Sequence, residues 1–150
     1  MKYISSILLL SLSSSIASAS SYSIIANKEL AENLNSVQGE RLKREIKLLF
    51  LKQKASVKSS APAKPASLPV TNKGFEAFRD DVLKMTQTEL DDHWVRIRQI
   101  TGDLPPREYR SNRSTLRYVA KNPGGFGIVE SLFAKENPNV TVLLEFGGEE

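Results

Sequence analysis

The stretch TQTELDDHWVRIRQITGDLPP (Thr86–Pro106), taken up again by STLRYVAKNPGGFGIVE (Ser114–Glu130), decides the fold. Thr86-Gln87-Thr88-Glu89 is a capping box, in which the threonine oxygen and the glutamate each satisfy an unpaired amide at a helix start. The helix that follows has Leu90, Trp94, Ile97 and Ile100 as its expected buried stripe. It ends at Thr101-Gly102, and Pro105-Pro106 prevents continuation. Ser111 or Ser114 caps a second helix, with Leu116, Val119 and Ala120 inward, which Asn122-Pro123 stops. Gly124, Gly125 and Gly127 then permit a tight turn and close packing before Ile128-Val129 enters a sheet. Helices alternating with strands, without runs of hairpins, predict an α/β domain with a small mixed sheet flanked by helices.

Working back from that stretch, Phe75, Phe78, Val82 and Met85 share one helical face, with Glu76, Arg79, Asp80 and Asp81 outward. Thr71-Asn72-Lys73-Gly74 is the turn before that helix, and Leu68-Pro69-Val70 reads as a brief edge strand. Lys52–Ser67 (KQKASVKSSAPAKPAS) is lysine-, serine-, alanine- and proline-rich with Val57 as its one bulky hydrophobe, and predicts a flexible basic insert. Upstream, Ser36 caps a helix over Val37–Leu51 whose stripe is Leu42, Ile46, Leu49 and Phe50. Arg41, Lys43, Arg44 and Lys47 fall on its solvated arc. Tyr22–Asn27 predicts a core strand and Lys28–Asn35 a turn of helix, while Val140–Phe146 predicts the last strand.

At the N-terminus, Lys2, the apolar run Ile4–Ile16 and Ala17-Ser18-Ala19 form a cleavable export signal, cut after Ala19. The run is shorter than the roughly 20 apolar residues of a membrane span. The expected mature chain, 20–150, is one α/β domain that is periplasmic or secreted, with no transmembrane segment. A length of 150 residues and 40% hydrophobic content suit a single core.

Composition also bounds the chemistry. With no cysteine there is no disulfide or thiolate metal site, and a single histidine rules out a multi-histidine one. His93 reads as a surface or boundary residue and Trp94 as core packing. Asp80-Asp81 and Asp91-Asp92 point about 100° apart on a helix, too far to share a proton, and read as solubility charges. No nucleophile has an evident base, so no enzyme, cofactor or metal is expected. A net charge of +4 gives a mild preference for anions without indicating nucleic acid.

Several segments together resemble the phosphate-binding periplasmic proteins of ABC importers. RLKREIKLLFLKQK is similar to that family's "L…IF.G" helix. LPV, FEAFRDDVLKM and the capped helix with HW and TGDLPP continue the pattern, and YVAKNPGGFGIVE looks like its "V…NPGAIGYV" segment. The likeness runs from Tyr22 to Phe146, interrupted at the insert, and is greatest to short members equivalent to one lobe of a type 2 periplasmic-binding-protein-like fold. It implies phosphate or another oxyanion as ligand, held at Thr71, Asn72, Lys73, Gly74 and Phe75, and an ABC permease or envelope protein as partner. Full-length binders carry a Ser-Gly-Thr triplet and a nearby arginine at this turn, where hydroxyls, amides and a helix N-terminus hold the oxygens. Here the turn reads Asn72-Lys73-Gly74, leucine stands near the arginine's place, and Ile128 replaces a tyrosine. The resemblance therefore implies weak or altered oxyanion binding. The alternative is an exported, non-enzymatic interaction protein that keeps the fold, has lost solute transport and uses its Arg41–Lys64 basic region on an acidic partner or envelope surface.

Overall fold

The computed structural model describes residues 21–148; the expected export signal and its cleavage site lie outside them. The protein is mixed α/β, with five helices and a five-stranded mixed sheet. In chain order the elements are β1 (Tyr22–Asn27), α1 (Lys28–Leu34), α2 (Gly39–Phe50), β2 (Lys64–Ser67), α3 (Lys73–Phe78), α4 (Gln87–Thr101), β3 (Arg107–Glu108), α5 (Asn112–Lys121), β4 (Gly125–Glu130) and β5 (Val140–Phe146). Across the sheet the order is β3-β2-β4-β1-β5. β2 runs parallel to both β3 and β4, and β1 runs antiparallel to both β4 and β5. Four strands thus share one direction and only β1 opposes them.

Strand alternation divides the core into two layers. Ile24 and Ala26 of β1 and Phe126 and Ile128 of β4 face α1 to α4, where they meet Leu30, Ile46, Leu49, Phe50, Phe78 and Leu90. Ile25 and Val129 face the other way, onto Leu116 and Val119 of α5. Asn27 joins the layers at the end of β1. Its Oδ1 caps α1 by accepting from the Glu29 amide, while its Nδ2 donates to the carbonyl of Val119, 3.0 Å away.

Several local expectations hold. Thr86 and Glu89 form the reciprocal capping box of α4, Gly102 closes that helix in the left-handed conformation, and Ser111 caps α5. Others need correction. The strand between α2 and α3 is Lys64–Ser67, inside the stretch expected to be a flexible insert, and not Leu68–Val70. Position in the sheet overrides its poor β propensity: the Lys64 amide donates to the Gly124 carbonyl, and Ala66 is buried on a strand flanked by β3 and β4. Ahead of it, Val57 is buried and the Ala63 amide bonds the Ala55 carbonyl, so the preceding residues pack as turns on the core. α2 starts after Gln38, without the side-chain cap expected from Ser36.

α4 departs furthest from its expected stripe. Only Leu90 and His93 are buried on it, Trp94 and Ile97 are half-buried, and Ile100 is 71% exposed. The helix outlasts the core beneath it. His93 is interior and not a surface residue, because its Nε2 lies 2.8 Å from the Leu51 carbonyl, which the end of α2 leaves without a helical partner. Trp94 does pack on the core, edge-on to Phe50. Beyond α3 the chain widens into a π-helical turn, Arg79–Leu83, and Lys84 closes it at φ 51°.

Candidate functional site

The connections from β2 and β4 lead in opposite directions. β2 passes through α3 and α4 to β3 on one side, whereas β4 leads to β5 on the other. Between β2 and β4 lies a topological switch point, and open α/β sheets bind ligands outside the carboxyl ends of their strands at such points. The Thr71–Phe75 turn follows the carboxyl end of β2 and therefore lies at this edge. So does the start of α5, tied down by the Glu130 amide donating to Asn112 Oδ1 at 3.0 Å. Ser131, just past β4, is fixed to β1 by a 2.8 Å hydroxyl contact with Ser23 and by its amide donating to the Ser21 carbonyl.

The turn itself is set by two packing facts. Asn72 caps α3, its Oδ1 accepting from the Gly74 amide at 2.7 Å while its carbonyl accepts from Glu76 at 3.1 Å. Of the four amides that a helix start leaves without helical acceptors, that of Asn72 donates to the Pro69 carbonyl and that of Gly74 to Asn72 Oδ1. The amides of Lys73 and Phe75 remain for another acceptor. Gly74 is buried, and a Cβ there would come within 2.7 Å of the Tyr22 ring. Glycine is needed at this position for close approach, and the backbone is held by an aromatic side chain from the first strand.

Thr71 and Lys73 are exposed, Asn72 is half-buried, and Phe75 is buried. The five expected residues are thus contiguous at the switch point, but they differ in what they offer: one cation, one hydroxyl and two amides, above a buried aromatic. Of the five, Phe75 lines a cavity of about 150 Å³, together with Val70 and Trp94, and Asp91 and Glu108 also line it. Those carboxylates make the cavity unfavourable for an anion.

Tyr22 was not legible as part of the site. Its only sequence signal is an aromatic opening a strand, and its role depends on a neighbour 52 positions further along, Gly74. Of the four cations on the basic arc of α2, Lys43 is the one that ion-pairs among the described residues, and acids of the same helix also pair with cations beyond it. Lys43 pairs with Asp81 at 2.8 Å and with Glu40 at 3.5 Å, Lys84 pairs with Glu40 at 3.4 Å, and Lys54 pairs with Glu45 at 2.7 Å. Asp81 is accordingly an ion-pair partner and more than a solubility charge. Its hydrogen bond raises the Lys43 ammonium above the ordinary lysine value, while hydrogen bonding to Lys84 and the charge of Lys43 lower Glu40.

Among the described residues, no group of three or more His, Asp or Glu side chains is placed to hold a metal ion. Nor is any helix among them long and apolar enough to cross a membrane. No family model matches the chain, and no curated protein matches it.

Proposed function

We propose that this chain is an exported, non-enzymatic, single-lobe relative of the phosphate-binding proteins of ABC importers, a type 2 periplasmic-binding-protein-like lobe with an open, weak oxyanion contact at Thr71–Phe75. The observation that carries the reading is the place of that turn: it follows β2 at the switch point of a sheet with four codirectional strands. The Lys73 ammonium and the Lys73 and Phe75 amides supply donors of the kind that suit a tetrahedral anion.

Weakness follows from the same geometry. The Gly74 amide is already bonded to Asn72, and two carboxylates, Asp91 and Glu108, line the cavity against which Phe75 lies. Phosphate is preferred to a macromolecular acid as ligand because the donors fall within three consecutive residues, a span that one tetrahedral ion can bridge.

Thermal unfolding with phosphate, sulfate or molybdate tests the reading. A ligand at ten times its dissociation constant adds about 1.4 kcal/mol, which raises the midpoint of a domain this size by about 4 °C. The expected result is such a rise at millimolar phosphate, reduced in Lys73→Gln. An unchanged midpoint for all three anions would remove the oxyanion assignment.

A further inference from the structure

We propose a second anion site, remote in sequence from the switch-point turn: a groove between α2 and the π-helical turn that takes a compact multivalent oxyanion of the polyphosphate class. Arg44 and Lys47 of α2 and Lys84 beyond the π turn line a groove of about 450 Å³, together with Lys43 and Glu40. Leu48 and Val82 also line it, adding an apolar surface that strengthens the field of the surrounding charges.

The groove's charges are not balanced. Asp81, Lys43, Glu40 and Lys84 form a continuous ladder of ion pairs across it, two cations against two carboxylates. Arg44 and Lys47 have no carboxylate within ion-pair distance among the described residues. Two positive charges therefore face the groove unneutralised, within one turn of the same helix. A planar guanidinium beside an ammonium suits phosphoryl oxygens, which accept the guanidinium's forked donors and the ammonium's point charge.

A second observation falls on the opposite wall. Lys84 occupies the left-handed region at φ 51°, a conformation costly for a side chain with a Cβ, and its amide donates back to the Arg79 carbonyl to close the π turn. Such turns and such outliers concentrate at functional positions. Here the pair directs Lys84 back toward α2, where it reaches Glu40.

The groove also limits its occupant's length. Its continuation past Lys47 and Lys84 is lined by Glu89 and Asp92 as well as Arg96. An extended polyanion would bring charge against those two carboxylates, whereas a compact one ends before them.

The experiment is an amide-resolved NMR titration of the full mature chain with inorganic pyrophosphate and, separately, tripolyphosphate. The expected shifts centre on Glu40–Leu48 and Val82–Met85 and saturate in the millimolar range or below. Arg44→Gln combined with Lys47→Gln should weaken binding by about tenfold or more, given the usual worth of charge-assisted hydrogen bonds, with an unchanged thermal midpoint. Lys73→Gln should leave this binding intact, which separates the groove from the turn. No shifts, shifts confined to Thr71–Phe75, or a double variant that binds as well as the parent would each overturn the proposal.

Discussion

The two ends of the paired strands β2 and β4 are built to opposite purposes. At the leading end, the turn before β4 is sealed: Gly124 sits at φ 82° with the Pro62 carbonyl where a Cβ would go, and its own carbonyl accepts from the Lys64 amide. At the carboxyl end, the turn after β2 leaves Lys73 exposed and the Lys73 and Phe75 amides without a protein acceptor, and its glycine lies against side chains and not a backbone. A glycine-rich stretch does not by itself mark a ligand site. At Gly124 it closes a sheet, and at Gly74 it lets one turn lie close to an aromatic ring.

The contrast breaks first if Gly124→Ala is tolerated. Strained φ alone costs on the order of 1–3 kcal/mol, and a methyl group cannot share space with the Pro62 carbonyl, so a loss of about 3 kcal/mol or more is expected in denaturant unfolding. Next in size is the buried imidazole. His93→Leu leaves the Leu51 carbonyl without its partner and should cost about 1–3 kcal/mol, read from the same unfolding curves. A loss near zero would mean that the carbonyl is reached by solvent.

Gly74→Ala meets a ring that can move, unlike Gly124, so about 1–2 kcal/mol is expected, within the usual range for overpacking. Combining it with Tyr22→Leu should recover part of the loss, whereas strict additivity would mean that the two residues do not press on each other. Smaller still, Asn72→Ala removes a helix cap worth about 1 kcal/mol. It also frees the Gly74 amide, so phosphate should bind more tightly to a less stable protein. Weaker binding in that variant would show that the asparagine is itself a ligand contact.

A pH dependence bears on α2. The Lys43 pKa is raised in the folded state, chiefly by the hydrogen bond to Asp81. Its contribution to stability is therefore complete below the unfolded lysine pKa and is lost as pH rises through the folded one. Alkaline titration of the unfolding midpoint should fall less steeply in Lys43→Met than in the parent chain.

Much of this arrangement is written locally. The Thr86–Glu89 box, the Gly102 stop, the Ser111 cap and the β1, β4 and β5 strands follow from short patterns, because each is fixed by neighbours in sequence. Lys64–Ser67 is not, since nothing in Lys-Pro-Ala-Ser favours a strand until Gly124 and Phe126 lie alongside it. The apolar stripe of α4 misleads for a related reason: periodicity reports a face, but not how far the core beneath it extends, and Ile100 lies past that limit. The turn at Thr71–Phe75 was identifiable as a position, and its placement at the switch point follows from strand order. That the Asn72 side chain fills the Gly74 amide, and that Tyr22 backs it, depends on atoms brought together by the fold.

In the proposed function, an oxyanion meets the turn at the carboxyl end of β2 beside Lys73. The most direct test is to follow the backbone amide resonances of Lys73 and Phe75 during a phosphate titration. Both should move together and saturate at millimolar phosphate, while those of Gly124 and Gly125 stay fixed. If Lys73 and Phe75 stay in place through the millimolar range, the turn is a piece of packing and the assignment is wrong.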